Sequence, residues 1–206
     1  MKVRLTTGLF LLLMPRYFLF YKPYMVLSQF TSHEGKQTIG DIISVPKNIY
    51  PVGRLDYDSE GLLILTDDTS LNHRLLHPTF KHEREYWVQV EGDVSQQALS
   101  NLQQGVVISI DGKLHTTLPA SAKRLTVSPA LPERNPPIRF RKEIPTSWLS
   151  LTLVEGKNRQ VRRMTAKVGF PTLRLVRYRI ENLRLEDLTP GNTREITKSE
   201  IYTALF

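Results

Sequence analysis

The sequence contains no cysteine among its 206 residues. Disulfide bridges and thiolate metal ligands are therefore excluded, and because folding needs no oxidising compartment, we expect a cytoplasmic location. An apolar run long enough for a membrane is also lacking. Gly8 to Met14 spans about seven residues, against roughly 20 for a bilayer, and no small-residue cleavage site follows. We interpret residues 1–15 as an N-terminal extension or an upstream start ahead of Met14, with no membrane role.

Complete motifs for nucleotide and calcium binding are missing. The run Glu155-Gly156-Lys157 lacks the earlier glycine of a phosphate-binding loop. Asp56, Asp58, Glu60 and Asp67 have the spacing of calcium-loop ligands. However, the last position should be glutamate and the loop should join two helices, so we do not favour a calcium site.

Three histidines could suggest a zinc site. They are His73, His77 and His82, and Pro78 separates the last of them from the first two. Without cysteine or a recognisable pattern of supporting residues, we interpret them as surface histidines near a helix end. The sequence therefore predicts no metal and no small-molecule cofactor.

Acidic residues are scarce in the second half of the chain. Between Lys123 and Arg179 there are 14 Lys and Arg residues against three acids, a surplus of 11. Because the net charge of the whole chain is +8, the remainder sums to −3. Such a localised surplus suits a polyanion, most commonly nucleic acid, while the alternative is a merely solvated basic face.

The hydrophobic pattern predicts strands and helices in irregular order. Strands are predicted at 16–21, 61–66, 85–91, 106–110, 113–116, 122–127, 148–154 and 172–180. Helices are predicted from a cap at Thr38 through Ser44, after Asp68 or Thr69, after Ser95, at 158–168 and after Thr197. The fold class is therefore α+β: a mixed, largely antiparallel sheet with peripheral helices. Five prolines in 129–145 predict a loop that joins two subdomains near 128–146, on either side of an active-site cleft.

One carboxylate lies on a tight turn before an apolar strand. The run Gly53-Arg54-Leu55-Asp56 precedes the strand that begins at Gly61. This is a suitable position for a reactive side chain, although an aspartate that only caps the turn fits the spacing equally. Tyr86 on the next predicted strand is an aromatic candidate, and as an isolated residue it is better explained as a core tyrosine.

A basic helix near the C-terminal end could bring an arginine to that aspartate. Val161, Met164 and Val168 form its inward stripe, and a solvated helix face is the alternative role for Arg162. The basic residues on its flanks are Arg159, Arg162, Arg163 and Lys167.

At these residues the chain resembles the pseudouridine synthases, in particular the small ribosomal branch that isomerises single uridines. The similar motifs are, in chain order, Tyr21-Lys22-Pro23, Gly53-Arg54-Leu55-Asp56 with Gly61-Leu62-Leu63, Glu85-Tyr86-Trp87-Val88, and Gly156 to Met164 with residues 169–175. Within this branch, residues 134–148 are most similar to the E type, which acts on large-subunit ribosomal RNA. The resemblance implies a catalytic domain over 16–206 that lacks the S4-type RNA-binding module of many relatives.

The resemblance also implies a role for each matching residue. Asp56 would be the nucleophile, attacking either C1′ of the ribose or C6 of the base, and Arg162 would form an ion pair with it. Tyr86 would stack on the flipped base and could remove the proton from C5, while Leu175 would form an apolar pocket wall. Arg54 would fill the gap left in the RNA stack. The implied RNA contacts are Lys22, Arg54, Arg159, Arg163, Lys167 and Arg174.

The implied function is the cofactor-free isomerisation of a specific uridine in 23S ribosomal RNA by a monomeric enzyme. Three alternatives stay open from the sequence. The first is a non-catalytic RNA-binding or ribosome assembly protein on the same fold. The second is a synthase that acts on another ribosomal or transfer RNA uridine, and the third is a metal-dependent nuclease that uses the acids of residues 56–68.

Overall fold

The computed structural model describes residues 14–139, 141 and 143–206. The interpretation of residues 1–15 falls almost wholly outside this part of the chain. The strands are β1 (Tyr17–Lys22), β2 (Tyr50–Pro51), β3 (Glu60–Thr66), β4 (Arg84–Glu91), β5 (Val107–Ile110), β6 (Lys113–Thr116), β7 (Ser121–Leu125), β8 (Thr146–Leu153), β9 (Thr172–Ile180), β10 (Leu183–Arg184) and β11 (Thr193–Ile196). The helices are α1 (Thr69–Leu76), α2 (Gln96–Gln104), α3 (Gln160–Lys167) and α4 (Lys198–Leu205).

The strands form one large sheet and one separate hairpin. The sheet order is β11-β1-β3-β9-β4-β8-β7, with β2 added to β3 and β10 added to β9, while β5 and β6 form the hairpin. Every strand pair is antiparallel except the short parallel pair of β3 and β9. The predicted α+β class with a mixed, largely antiparallel sheet is confirmed.

The predicted helix caps at Asp68 and Thr197 are confirmed. The Asp68 carboxylate accepts hydrogen bonds from the backbone N–H groups of Ser70 and Leu71, which satisfies free donors at the start of α1. Thr197 and Glu200 form a reciprocal capping box at the start of α4. None of the described helices is both long enough and apolar enough to cross a membrane.

Some element boundaries differ from the prediction. The helix expected from Thr38 to Ser44 is only one 3-10 turn, Ile39–Asp41, because one glycine and three β-branched residues follow the cap and disfavour an α-helix. The strands β2 and β10 have two residues each, too few for a pattern to be read. β11 is mostly exposed at the sheet edge, so it lacks the apolar alternation by which strands are recognised.

The parallel pair of β3 and β9 forms the middle of the sheet. Gly61 lies opposite Arg177 there, and a Cβ added to Gly61 would lie 2.4 Å from the Arg177 carbonyl oxygen. Gly61 also has a φ of +114°, which side chains with a Cβ rarely adopt. Glycine is therefore required where β3 begins, immediately after the turn that carries Asp56.

Candidate active site

The turn that carries Asp56 is fixed by backbone hydrogen bonds at both ends. The Val52 N–H donates to the Ile64 carbonyl over 2.8 Å, and the Ser59 N–H donates to the Asp56 carbonyl over 3.0 Å. Gly53 has a φ of +70°, a left-handed conformation that glycine adopts without a steric penalty. Asp56 itself is partly open to solvent, with 31% of its side chain exposed.

Two side chains from outside the turn hold it against β1 and the segment that follows β1. Ser28 Oγ donates to the Leu55 carbonyl over 2.8 Å and accepts from the Leu55 N–H over 3.0 Å. Lys22 Nζ donates to the carbonyls of Ser59 at 2.7 Å and Pro23 at 2.9 Å, with that of Tyr57 at 3.4 Å.

The implied role of Lys22 as an RNA contact is wrong. Its side chain is completely buried and is held by carbonyl groups, so it cannot reach a phosphate from this position. Burial lowers the pKa of Lys22 to about 7, although the charges of Glu60, Asp58 and Asp56 oppose the shift. Lys22 therefore stabilises the turn from the buried side, through its hydrogen bonds to backbone carbonyls.

Arg159 contacts both aspartates of the turn. Its Nη1 and Nη2 donate to the two carboxylate oxygens of Asp58 over 2.9 and 2.7 Å, and Nη1 lies 3.8 Å from Oδ2 of Asp56. Arg159 adopts a left-handed conformation, with φ 50° and ψ 32°, at the cap of α3. Such a conformation costs free energy for a residue with a long side chain, and residues with strained backbones cluster at functional sites.

Arg162 binds Asp58 instead of Asp56. Its Nη2 donates to the Asp58 backbone carbonyl over 2.6 Å, and its Nε lies 3.4 Å from Asp58 Oδ2 without hydrogen-bond alignment. Among the ion pairs of the described residues, none joins Arg162 to Asp56, so the predicted direct pair is wrong in its partner. The reason is that Arg159, at the cap of α3, takes the position nearest Asp56.

Asp58 is the acceptor for both arginines. Burial by itself would raise the pKa of the Asp58 carboxyl, but the hydrogen bonds from Arg159 and the charge of Arg162 outweigh it, so the pKa is lowered. Burial lowers the pKa of Arg162, which the Asp58 carboxylate opposes. Asp58 thus remains ionised and fixes the two guanidinium groups beside Asp56.

Tyr86 and Leu175 reach the same cleft from the central strands. Tyr86 on β4 pairs with Arg177 on β9, and Leu175 pairs with Val88 two residues further along β4. The cleft has a volume of about 630 Å³, within the range of small-molecule sites. Its lining includes Asp56, Arg54, Tyr86, Arg159 and Leu175.

The other basic residues with an implied RNA contact differ in their solvent exposure and in their partners within the protein. Arg174 is only 7% exposed and its guanidinium donates to both Glu60 oxygens over 2.9 and 2.8 Å, so its implied RNA contact is wrong. Arg163 Nη1 donates to the Ser109 carbonyl over 2.6 Å, which ties α3 to the β5–β6 hairpin. Lys167 is exposed near the end of α3, and its RNA contact stays a prediction.

The described residues offer no metal site of the kind considered from the sequence. Within them, no group of three or more His, Asp or Glu side chains converges on one point. Two of the calcium-loop candidates already have arginine partners, because Asp58 pairs with Arg159 and Glu60 pairs with Arg174.

Two functional features were missed at the sequence level. For Asp58 the sequence suggests only a metal ligand, in a calcium loop or in the nuclease alternative, and for Ser28 it suggests no role. The spacing Asp56-Tyr57-Asp58 next to an arginine-rich helix could have indicated a shared ion-pair network. No local signal indicates Ser28, because its contact with Leu55 joins distant parts of the chain.

The comparisons with known proteins identify the family of the chain. The family model described as RNA pseudouridylate synthase matches residues 16–167. A protein of Vibrio vulnificus named ribosomal large subunit pseudouridine synthase E is 52% identical over 179 residues, which cover 87% of this chain and 74% of that protein. A Xanthomonas campestris protein of the same name is 51% identical over 175 residues, covering 84% of this chain and 91% of that protein.

A solved structure supports the same assignment. The crystal structure of a pseudouridylate synthase superposes with a TM-score of 0.76 at 27% identity, covering 93% of this chain and 74% of that chain. The resemblance first read from the motifs around Asp56 and Tyr86 is thus confirmed. The chain belongs to the RNA pseudouridylate synthase family.

Proposed function

We propose that this protein converts one uridine of 23S ribosomal RNA to pseudouridine, with Asp56 as the nucleophile. The observation that carries the proposal is the position of Asp56. It lies partly exposed in a cleft that also contains Tyr86, with Arg159 at 3.8 Å. An aspartate that only capped a turn would need neither the aromatic residue nor the arginines.

The reaction replaces the bond between N1 and C1′ of the uridine with a bond between C5 and C1′, and it needs no redox change. Asp56 attacks C1′ of the ribose or C6 of the base, and the bond between N1 and C1′ breaks. The uracil turns in the cleft, C5 bonds to C1′, and the Asp56 carboxylate leaves the carbon that it attacked. The proton then leaves C5, and N1 gains a proton. Atoms and electrons balance within the uridine, so the protein needs only a nucleophile, a proton acceptor and a site that holds the base.

Tyr86 is suited to hold the extruded base. Flipping a base out of its stack costs a few kcal/mol, and stacking on an aromatic ring returns about 1–3 kcal/mol. Arg54 is exposed in the cleft lining, two residues before Asp56. We assign its side chain to the gap that the flipped base leaves in the RNA stack. Leu175 supplies an apolar wall.

Arg162 is assigned a supporting role. Because it binds the backbone and carboxylate of Asp58, we propose that it fixes the turn, while Arg159 is the arginine nearest the nucleophile. The substrate class comes from the names of the two similar relatives, which refer to the large ribosomal subunit. We propose that the protein acts as a monomer in the cytoplasm.

The test is to map pseudouridine in ribosomal RNA. Naked large-subunit RNA, small-subunit RNA and transfer RNA are incubated separately with wild type, Asp56→Asn or Asp93→Asn, and carbodiimide adducts are located by primer extension. Asp93 is the control because it is an exposed aspartate paired with Arg124 and does not line the cleft.

We expect one new stop in large-subunit RNA with wild type and Asp93→Asn, and none with Asp56→Asn. Equal marks from wild type and Asp56→Asn would refute the role of Asp56. Marks in another RNA would correct the substrate. RNA binding without any mark would favour the non-catalytic RNA-binding alternative.

A further inference from the structure

The segment from the last residue of α1 to Lys81 is exposed to solvent although it contains large apolar side chains. All six residues of 76–81 are exposed, including two large apolar side chains, Leu76 at 45% and Phe80 at 47%. Single exposed apolar residues are common, but exposed apolar residues grouped beside a cleft are typical of an interaction surface. We refer to His77, Pro78, Thr79, Phe80 and Lys81 as the 77–81 turn.

This turn borders the same cleft as Asp56. His77, Pro78 and Lys81 are among the lining residues. Leu76, just before the turn, lies close to the nucleophile's loop, because a Cβ added to Gly53 would be 3.0 Å from its Cδ2. An RNA segment whose target base enters the cleft would therefore pass beside the 77–81 turn.

Aromatic rings hold Phe80 in place. The His82 ring stacks near-parallel to it at 6.1 Å with an interplanar angle of 28°, and the His77 ring meets it edge-on at 5.9 Å. His82 is buried while Phe80 is exposed. One part of the Phe80 ring is thus supported by the protein and the rest is open to solvent.

The turn is also fixed to the strand that carries Tyr86. Arg84, two residues before Tyr86 on β4, donates to the carbonyl of Leu75 over 2.6 Å and to the carbonyl of His82 over 3.1 Å. These two carbonyls stand on either side of the 77–81 turn. Phe80 therefore has a defined position relative to the Tyr86 strand, as a stacking surface requires.

The charge around the turn suits a polyanion. No Asp or Glu occurs from Thr69 to His82, while Arg74 and Lys81 are both exposed. An exposed aromatic ring near cationic residues is typical of surfaces that bind single-stranded nucleic acid, where bases stack on rings and phosphates meet positive charges. One carboxylate from elsewhere in the chain is also near the turn, because Glu181 Oε1 lies 2.8 Å from Nδ1 of the buried His82.

We propose that the 77–81 turn binds an unpaired nucleotide that flanks the target uridine, with its base stacked on Phe80 and its phosphate near Lys81. This inference rests on the proposed function and extends the substrate site beyond the single flipped base. It also gives a role to the histidine-rich stretch, which does not form a metal site within the described residues.

The test compares variants of Phe80 with a matched aromatic control. Phe80→Leu keeps an apolar side chain against His82 but removes the ring, and Phe80→Trp keeps a ring. Tyr50→Ala is the control, because Tyr50 is 64% exposed and does not line the cleft. Affinity for naked large-subunit RNA is measured by filter binding, and the rate of pseudouridine formation is measured in single turnovers at saturating RNA.

We expect Phe80→Leu to weaken RNA affinity about tenfold, as loss of one stacked base implies, with the saturated rate unchanged. Phe80→Trp and Tyr50→Ala should bind as wild type does. If Phe80→Leu binds as tightly as Tyr50→Ala, or loses only rate at saturating RNA, the inference is overturned. Failure of the proposed function would appear differently, as a wild type that forms no pseudouridine.

Discussion

Arg159 connects the two aspartates of one turn: it donates to both oxygens of Asp58, over 2.9 and 2.7 Å, and its Nη1 lies 3.8 Å from Asp56 Oδ2. Bidentate pairing of this kind is short, charge-assisted and specific in geometry. The arginine is thus held by one carboxylate and presented to the other. Asp58 sets the distance between the guanidinium group and the proposed nucleophile.

The first prediction follows from that arrangement. Asp58→Asn removes the charge that holds Arg159 and Arg162, so the guanidinium groups are free to close on Asp56 and mask it. Hydrogen bonds to charged groups contribute about 1.5–3 kcal/mol each, and we expect the single-turnover rate to fall roughly tenfold or more. The measurement is pseudouridine formation at saturating RNA. Asp93→Asn serves as control, and an equal rate in both variants would contradict the positioning role of Asp58.

The sequence predicts those features that depend on local pattern. The strand of Tyr86 alternates apolar and polar residues, the helix after Asp68 has a capping side chain, and the turn before Gly61 has its glycines. Each of these is decided within a few residues. The position of Asp56 on a tight turn could therefore be predicted before any tertiary contact was known.

The pairing of the arginines with the aspartates could not be predicted in this way. Which arginine meets which aspartate depends on where α3 begins and on the left-handed conformation of Arg159, and both are tertiary outcomes. The family resemblance implies RNA contacts for Lys22 and Arg174, and charged side chains are usually exposed. Both are buried instead, since carbonyl groups surround one and Glu60 pairs with the other.

The second prediction concerns the buried pair of Arg174 and Glu60. Their side chains are 8% and 3% exposed, so Glu60→Gln would leave a buried charge without its counter-ion. We expect the free energy of unfolding to fall by about 3–5 kcal/mol in urea denaturation. Glu195→Gln is the control, because its pair with Arg16 is exposed and should cost less than about 1 kcal/mol. Similar losses in the two variants would show that burial does not decide the difference.

The third prediction concerns pH. Burial lowers the pKa of Lys22 to about 7 in the folded protein, whereas an unfolded lysine titrates near 10.4. Between these values the unfolded chain binds more protons, so the free energy of unfolding rises with pH. Relative to Lys22→Met, which lacks this titration, wild type should gain about 2 kcal/mol between about pH 6.5 and 9.

The measurement for Lys22 is urea denaturation of both proteins at several pH values. Groups that titrate equally in wild type and Lys22→Met cancel in the difference between their unfolding free energies. A difference that stays constant across this range would mean that Lys22 keeps its proton in the folded state. It would also mean that the carbonyls of Ser59 and Pro23 hold a charged ammonium group.

The last prediction concerns the contact of α3 with the RNA backbone. Lys167 is exposed on α3, so a phosphate contact there should release a counterion, and Lys167→Ala should flatten the plot of log affinity against log salt by roughly 0.7. Lys198→Ala is the matched control, because Lys198 is an exposed lysine that lies over the Tyr202 ring on α4 and not on α3. Its salt slope should equal that of wild type. Equal slopes for all three proteins would show that the α3 face does not contact the RNA backbone through Lys167.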